Sequence, residues 1–120
     1  MLDFVILQHD FADDSARTDH WDLMLRDGDE LLTWAIEQNP LETKRAVGKR
    51  LPNHRLRYLN YEGPISDDRG TVQRIAVGKF RWLDKRDLEN WTIEMVLADE
   101  TVMTCSLVVG TEFQFEVVNS

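Results

Sequence analysis

The feature that most constrains this chain is a turn. Asp27-Gly28-Asp29 separates two short apolar-rich runs, Asp19–Arg26 and Glu30–Ile36. Asp-Gly between strand-like runs is a strong hairpin signal, because hairpin turns need positive φ and glycine adopts it without steric cost. The same rhythm recurs along the chain. Leu2–Gln8 is a β-branched and aromatic run ending at His9-Asp10, and Phe11–Thr18 is a polar loop. Val72–Trp82 alternates irregularly, with Gly78 read as a bulge or bend. Trp91–Ala98, Thr101–Val109 and Phe113–Val118 are strands joined by Asp99-Glu100 and Gly110-Thr111.

The middle of the chain is less regular. Gln38-Asn39-Pro40 breaks the pattern, and Leu41–Leu51 reads equally as a short helix after Pro40 or as a loop entering an edge strand at Arg45–Lys49. Pro52-Asn53 reads as a turn. His54–Leu59 then alternates as a strand would, with His54, Leu56 and Tyr58 on one face. Gly63-Pro64 and Ser66–Gly70 read as loop, and Asp84–Asn90 as a helical turn or hairpin loop. With tight turns and no sustained helical period, the chain is expected to be mainly β, a small closed antiparallel barrel of about seven to eight strands with one or two short helices. Closure is favoured because it removes exposed sheet edges. Residues 1–120 read as a single domain, long enough for one core.

Apolar content of 42% and charged content of 30% fit a water-soluble globular chain. The apolar runs are too short to span a bilayer, and there is no basic segment followed by an apolar one at the start, so no membrane contact and a cytoplasmic location are expected. The single cysteine, Cys105, lies in an alternating apolar run and reads as a small core residue. The net charge of −8 argues against a polyanionic partner, but the distribution argues the other way locally. Lys44, Arg45, Lys49, Arg50, Arg55 and Arg57 lie between Thr43 and Tyr61 with no acid among them, leaving eight bases against twenty-two acids elsewhere. A basic strip on an acidic body can hold a polyanion at one place while the body repels it elsewhere.

In an extended strand, Trp21, Leu23 and Leu25 share one face and read as core, while His20, Asp22 and Met24 share the other. An imidazole and a carboxylate two residues apart on a rigid strand suit a divalent metal. If the first two strands pair, His9 joins them, giving two imidazoles and one carboxylate with coordination positions left open. Manganese, zinc or iron fit that donor set. His54 and Tyr58, on a separate segment, are candidates for a phosphate contact or a proton donor.

These segments resemble the 3′-phosphoesterase domain of bacterial DNA ligase D and its stand-alone relatives. Phe4-Val5-Ile6-Leu7-Gln8-His9-Asp10 is similar to that family's opening strand, which ends in a His-Asp pair. His20-Trp21-Asp22-Leu23-Met24-Leu25 is similar to its His-aromatic-Asp-Phe-Arg-Leu strand, and Leu32-Thr33-Trp34-Ala35-Ile36 to the strand after it. His54-Arg55-Leu56-Arg57-Tyr58-Leu59-Asn60-Tyr61-Glu62-Gly63 resembles its His-Pro-Leu-Asp-Tyr-x-x-Phe-Glu-Gly segment, and Gly70-Thr71-Val72 also fits. The resemblance implies a small β-barrel and a manganese-dependent enzyme that removes 3′-ribonucleotides and 3′-phosphates from DNA ends. It implies His9, His20 and Asp22 as metal ligands and His54 and Tyr58 as contacts to the scissile phosphate. It further implies a nucleic-acid 3′ end as substrate, with a ligase or polymerase as partner.

Two departures stand out. Where the family carries an arginine two residues after the metal-binding aspartate, this chain has Met24, which donates no hydrogen bond. Arg26, one pleat further on, and Arg17, in the loop, are the candidates to replace it, with Arg55 and Arg57 as further phosphate or DNA contacts. The loop between His9 and His20 is also about five residues longer than is usual, which sites at barrel mouths tolerate. Met24 motivates an alternative, a catalytically weak relative that binds a metal or a DNA end. A third reading is an iron-dependent oxygenase, because His-x-Asp with a distant histidine is also the pattern of non-haem iron sites.

Overall fold

The computed structural model describes residues 1–11, 19–66 and 69–118. The chain is mainly β, in one antiparallel sheet of nine strands: β1 (Leu2–Asp10), β2 (His20–Asp27), β3 (Glu30–Ile36), β4 (Arg45–Arg55), β5 (Gly63–Pro64), β6 (Thr71–Asp87), β7 (Asn90–Leu97), β8 (Val102–Val108) and β9 (Glu112–Val118). Hydrogen bonding runs β1-β2-β3-β4-β9-β8-β7-β6 and returns to β1, so eight strands close into the expected barrel. The ninth, β5, is a two-residue addition on β6, where sequence reading gave only loop. Gly28 takes the positive φ, 64°, that the β2–β3 turn requires.

The middle of the chain corrects the expectations. There is no helix after Pro40; β4 starts at Arg45 and runs through Pro52-Asn53 to Arg55, so that pair is not a turn. Leu31 faces His54 while Thr33 faces Leu51, so β4 carries one residue more than β3 there. That bulge accommodates Pro52, whose missing N–H would otherwise break the ladder. Beyond it, Leu56–Leu59 is a 3-10 turn rather than a continued strand. Gly78 sits in regular pairing, and the nearby register shift falls between Ala76 and Arg74. A Cβ at Gly78 would lie 2.1 Å from the Val96 carbonyl oxygen, so glycine is there for close approach of β7. The expected loop at Asp84–Asn90 is strand on both sides of a tight turn.

The barrel interior holds Phe4, Ile6, Leu23, Leu25, Trp34, Ile36, Phe80, Trp91, Ile93, Met95, Met103, Cys105, Leu107, Phe113 and Phe115, with Trp21 and Trp82 packed against them. Complete burial pushes the Cys105 thiol pKa up, as expected for an inert core cysteine. A second apolar cluster lies on the other face of the same wall: Val5, Leu7, Met24, Leu31 and Val72, covered by Leu56, Tyr58, Leu59, Tyr61 and Ile65. The chain after β4 therefore folds back over the outside of β1–β3. Phe4–Leu7 and Leu23–Leu25 are consequently buried on both faces. Among the described residues, no helix is long and apolar enough to cross a membrane.

Candidate metal centre on the outer wall

Register fixes the outer face row by row. Cross-strand partners His9↔His20 form one row, Leu7↔Asp22↔Ala35↔Lys49 the next, Val5↔Met24↔Thr33↔Leu51 the third, and Arg26↔Leu31↔His54 the fourth. The first two rows bring His9, His20 and Asp22 together, with one ligand atom from each within 4.8 Å of the others. Sequence alone needed β1 to pair with β2 for this cluster, and it does.

The contacts around Asp22 decide what the cluster can hold. Its carboxylate is buried, with Oδ2 3.3 Å from His9 Nδ1 and Oδ1 2.9 Å from His20 Nε2. Burial by itself would raise the carboxyl pKa, but the imidazoles of His20 and His9 outweigh it and hold the group below its ordinary range. His9 Nε2 lies 2.6 Å from the Arg69 carbonyl oxygen. A carbonyl only accepts, so Nε2 carries the proton and donates it. A neutral His9 ring then turns the Nδ1 lone pair on a carboxylate oxygen, acceptor against acceptor. Either a second ring proton or a cation must lie between them. Asp22 Oδ1 is buried and has no hydrogen-bond donor in proper alignment among the described residues.

A metal-binding histidine usually donates its other ring N–H to a carbonyl or carboxylate, which fixes its tautomer. Arg69 supplies that carbonyl through Gly70, whose φ is +86° and whose missing Cβ would fall 2.2 Å from the Asp10 carbonyl oxygen. Only glycine lets residues 69–71 lie so close to the end of β1. Phe11 stacks on the His9 ring at 4.4 Å and walls the site on one side. Sequence reading missed Phe11 and the Arg69 carbonyl; the isolated Gly70 before a strand was the one available signal.

The remaining candidates are distributed as follows. His54 and Tyr58 are brought together, their rings 5.6 Å apart edge to face, although by the 3-10 turn and not by strand alternation. His54 Nδ1 is 2.9 Å from the Pro52 carbonyl oxygen, which leaves Nε2 for other partners. His54 lies outside the three-residue cluster, two rows from Asp22, or roughly 13 Å along the strands. Met24 is fully buried between these rows. Arg26 shares the row of His54 and is held by Asp3 Oδ2 at 3.3 Å and the Gly28 carbonyl oxygen at 3.0 Å. Arg57 lies over the Tyr58 and Tyr61 rings at 5.2 and 5.4 Å, and Arg55 is exposed at the end of β4. Arg17 falls outside the described residues. Arg50 faces inward, 5.0 Å over the Trp34 ring, and is unavailable to an outer ligand.

No protein-family model matches this chain, and a search of curated proteins finds no relative. The His9, His20 and Asp22 geometry therefore carries the functional argument. Two imidazoles and one carboxylate, brought together on adjacent strands, form a group able to hold a metal ion.

Proposed function

We propose that this chain is a divalent-metal-dependent phosphoesterase that acts on nucleic-acid 3′ ends, removing 3′-ribonucleotides or 3′-phosphates from DNA. The observation that carries the reading is the His9–His20–Asp22 cluster on an outer barrel wall, with its second-row carbonyl already in place. An outer wall admits a polymer end where an enclosed cavity would admit only a small molecule. Lys49, in the same row as Asp22, and Arg55, exposed at the end of β4, would supply positive charge for a phosphodiester backbone.

His9, His20 and Asp22 would hold the metal, manganese by preference, which when bound supplies Lewis-acid polarisation of a phosphoryl oxygen. His54, whose Nδ1 is committed to Pro52, lies two rows from the cluster, so its Nε2 would contact the substrate strand at a phosphate away from the metal. Tyr58 would orient that ring and contribute a phenolic donor. The trimmed end carries a 3′-hydroxyl, so the natural partners are a ligase or polymerase that consumes it. Burial of Met24 in an apolar cluster supports a second reading, a protein that binds metal and DNA ends with weak catalysis.

The test is incubation with Mn²⁺ and a DNA primer ending in one ribonucleotide or a 3′-phosphate. The expected result is a shortened or dephosphorylated primer, with product abolished in His20→Ala. Bound manganese without product favours the binding module. Full activity in His20→Ala, or oxygen consumption with ferrous iron and 2-oxoglutarate in place of phosphate chemistry, overturns the assignment.

A further inference from the structure

The row that contains Asp22 continues across two more strands to Ala35 and Lys49. All three side chains point outward from the barrel. Ala35 is small, so no bulky side chain stands between the carboxylate and the lysine in this row. Two interstrand spacings put Lys49 about 10 Å from Asp22 at the backbone. The flexible lysine stem can fold across Ala35 and close that gap, so that a phosphate held at the cluster meets the ammonium.

Several other cations near this face are engaged among the described residues. Arg26 is held by Asp3, Arg74 by Glu62, and Arg69 by the carbonyl and hydroxyl of Ser66. Arg57 covers two tyrosines and Arg50 points into the barrel. Lys49 is exposed and forms no ion pair or hydrogen bond among the described residues. An unpaired ammonium level with a buried carboxylate and two imidazoles has the placement of an anion contact. A flexible lysine acts there as a point charge and needs no bidentate geometry.

We propose that Lys49, with Ala35 as the floor, forms the subsite for a terminal phosphate beside the metal cluster. It supplies from β4 the positive charge that Met24 does not supply from β2. The inference rests on the phosphoesterase reading and adds a residue that fixes which phosphate is engaged.

The experiment separates the two. Manganese affinity is read by electron paramagnetic resonance for the wild-type protein, Lys49→Gln and Lys49→Arg. Binding of Mn²⁺-loaded protein is then compared between a short DNA ending in a 3′-phosphate and the same DNA ending in a 3′-hydroxyl. The wild-type protein should prefer the phosphorylated end. Lys49→Gln should keep its manganese affinity and lose about tenfold of that preference, with Lys49→Arg restoring most of it. Wild-type preference that persists unchanged in Lys49→Gln overturns the subsite and leaves the phosphoesterase reading standing. A wild-type protein that binds manganese but shows no preference for either end overturns both. Loss of manganese affinity in Lys49→Gln overturns the assignment of Lys49 to phosphate.

Discussion

Asp22 is an ionised group inside an otherwise apolar wall, kept charged by two histidines that themselves sit at the rim. Replacing it with asparagine preserves shape but removes the charge, so manganese affinity of Asp22→Asn should fall by more than about 100-fold in a titration, with an unchanged far-ultraviolet spectrum. Asp3 shows the same logic without a ligand. The Lys79 ammonium, and after it Arg26, hold its carboxyl below the ordinary range against a small opposing effect of burial. Its stabilisation is therefore present above the ordinary carboxylate pKa and lost as pH falls through the lower folded value. The group is partly exposed, so the gain is well under ~1 kcal/mol. Urea unfolding of Asp3→Asn against the wild-type protein should show a small difference at pH 7 that is lost as pH falls below the ordinary carboxylate range. At this scale the sequence was informative: the cluster of His9, His20 and Asp22 follows from period-two alternation and one pairing of neighbouring strands. Lys49 did not stand out, because its position beside Asp22 depends on a register two strands away.

At the level of elements, what could be read depended on whether a strand had one buried face or two. The β2–β3 hairpin was legible from Asp27-Gly28-Asp29, and β7–β9 from clean alternation over the barrel interior. Beyond Leu51 the signals misled. Pro52-Asn53 reads locally as a turn, yet the bulge opposite Leu32 absorbs it within β4. Residues 56–59 alternate as a strand would, yet they pack over the outer wall as a 3-10 turn. That cover is non-local, so nothing near β2 reveals that its second face is also buried. Met24, read as a missing arginine, is a core residue of this outer cluster. Met24→Arg should therefore not restore a phosphate contact. It should destabilise the fold by about 3 kcal/mol in urea titration, because it buries an unpaired charge, whereas Met24→Leu should cost less than about 1.5 kcal/mol.

For the whole molecule, a ligand that binds the folded chain alone stabilises it by mass action. The ligands come from two strands and the supporting carbonyl from a third segment, so the unfolded chain has no equivalent site. Manganese at 100 times its dissociation constant should raise stability by about 2.7 kcal/mol, or roughly 10 °C in a melting experiment, and a chelator should reverse the shift. His20→Ala should melt at one temperature with or without the ion. Unequal seams belong to this scale as well. β1 and β6 pair along nine residues of β1, whereas the β4–β9 ladder covers Arg45–Val47 and Glu112–Gln114, flanked by one backbone bond at either end, Gly48 to Thr111 and Phe115 to Lys44. The metal wall thus lies on the well-knit side of the barrel.

The β1–β6 seam also sets the order of events when the chain folds. Leu2 is paired with Phe80 and Asp10 with Thr71, so β1 finds its second partner only after β2 to β5 have been made. Loop closure over such separations is what slows folding in proteins of high contact order. Until that closure, the apolar run Phe4–Leu7 has β2 beside it but neither β6 nor the cover from residues 56–65. The strand that carries His9 is thus made before β6 and enclosed only once β6 arrives.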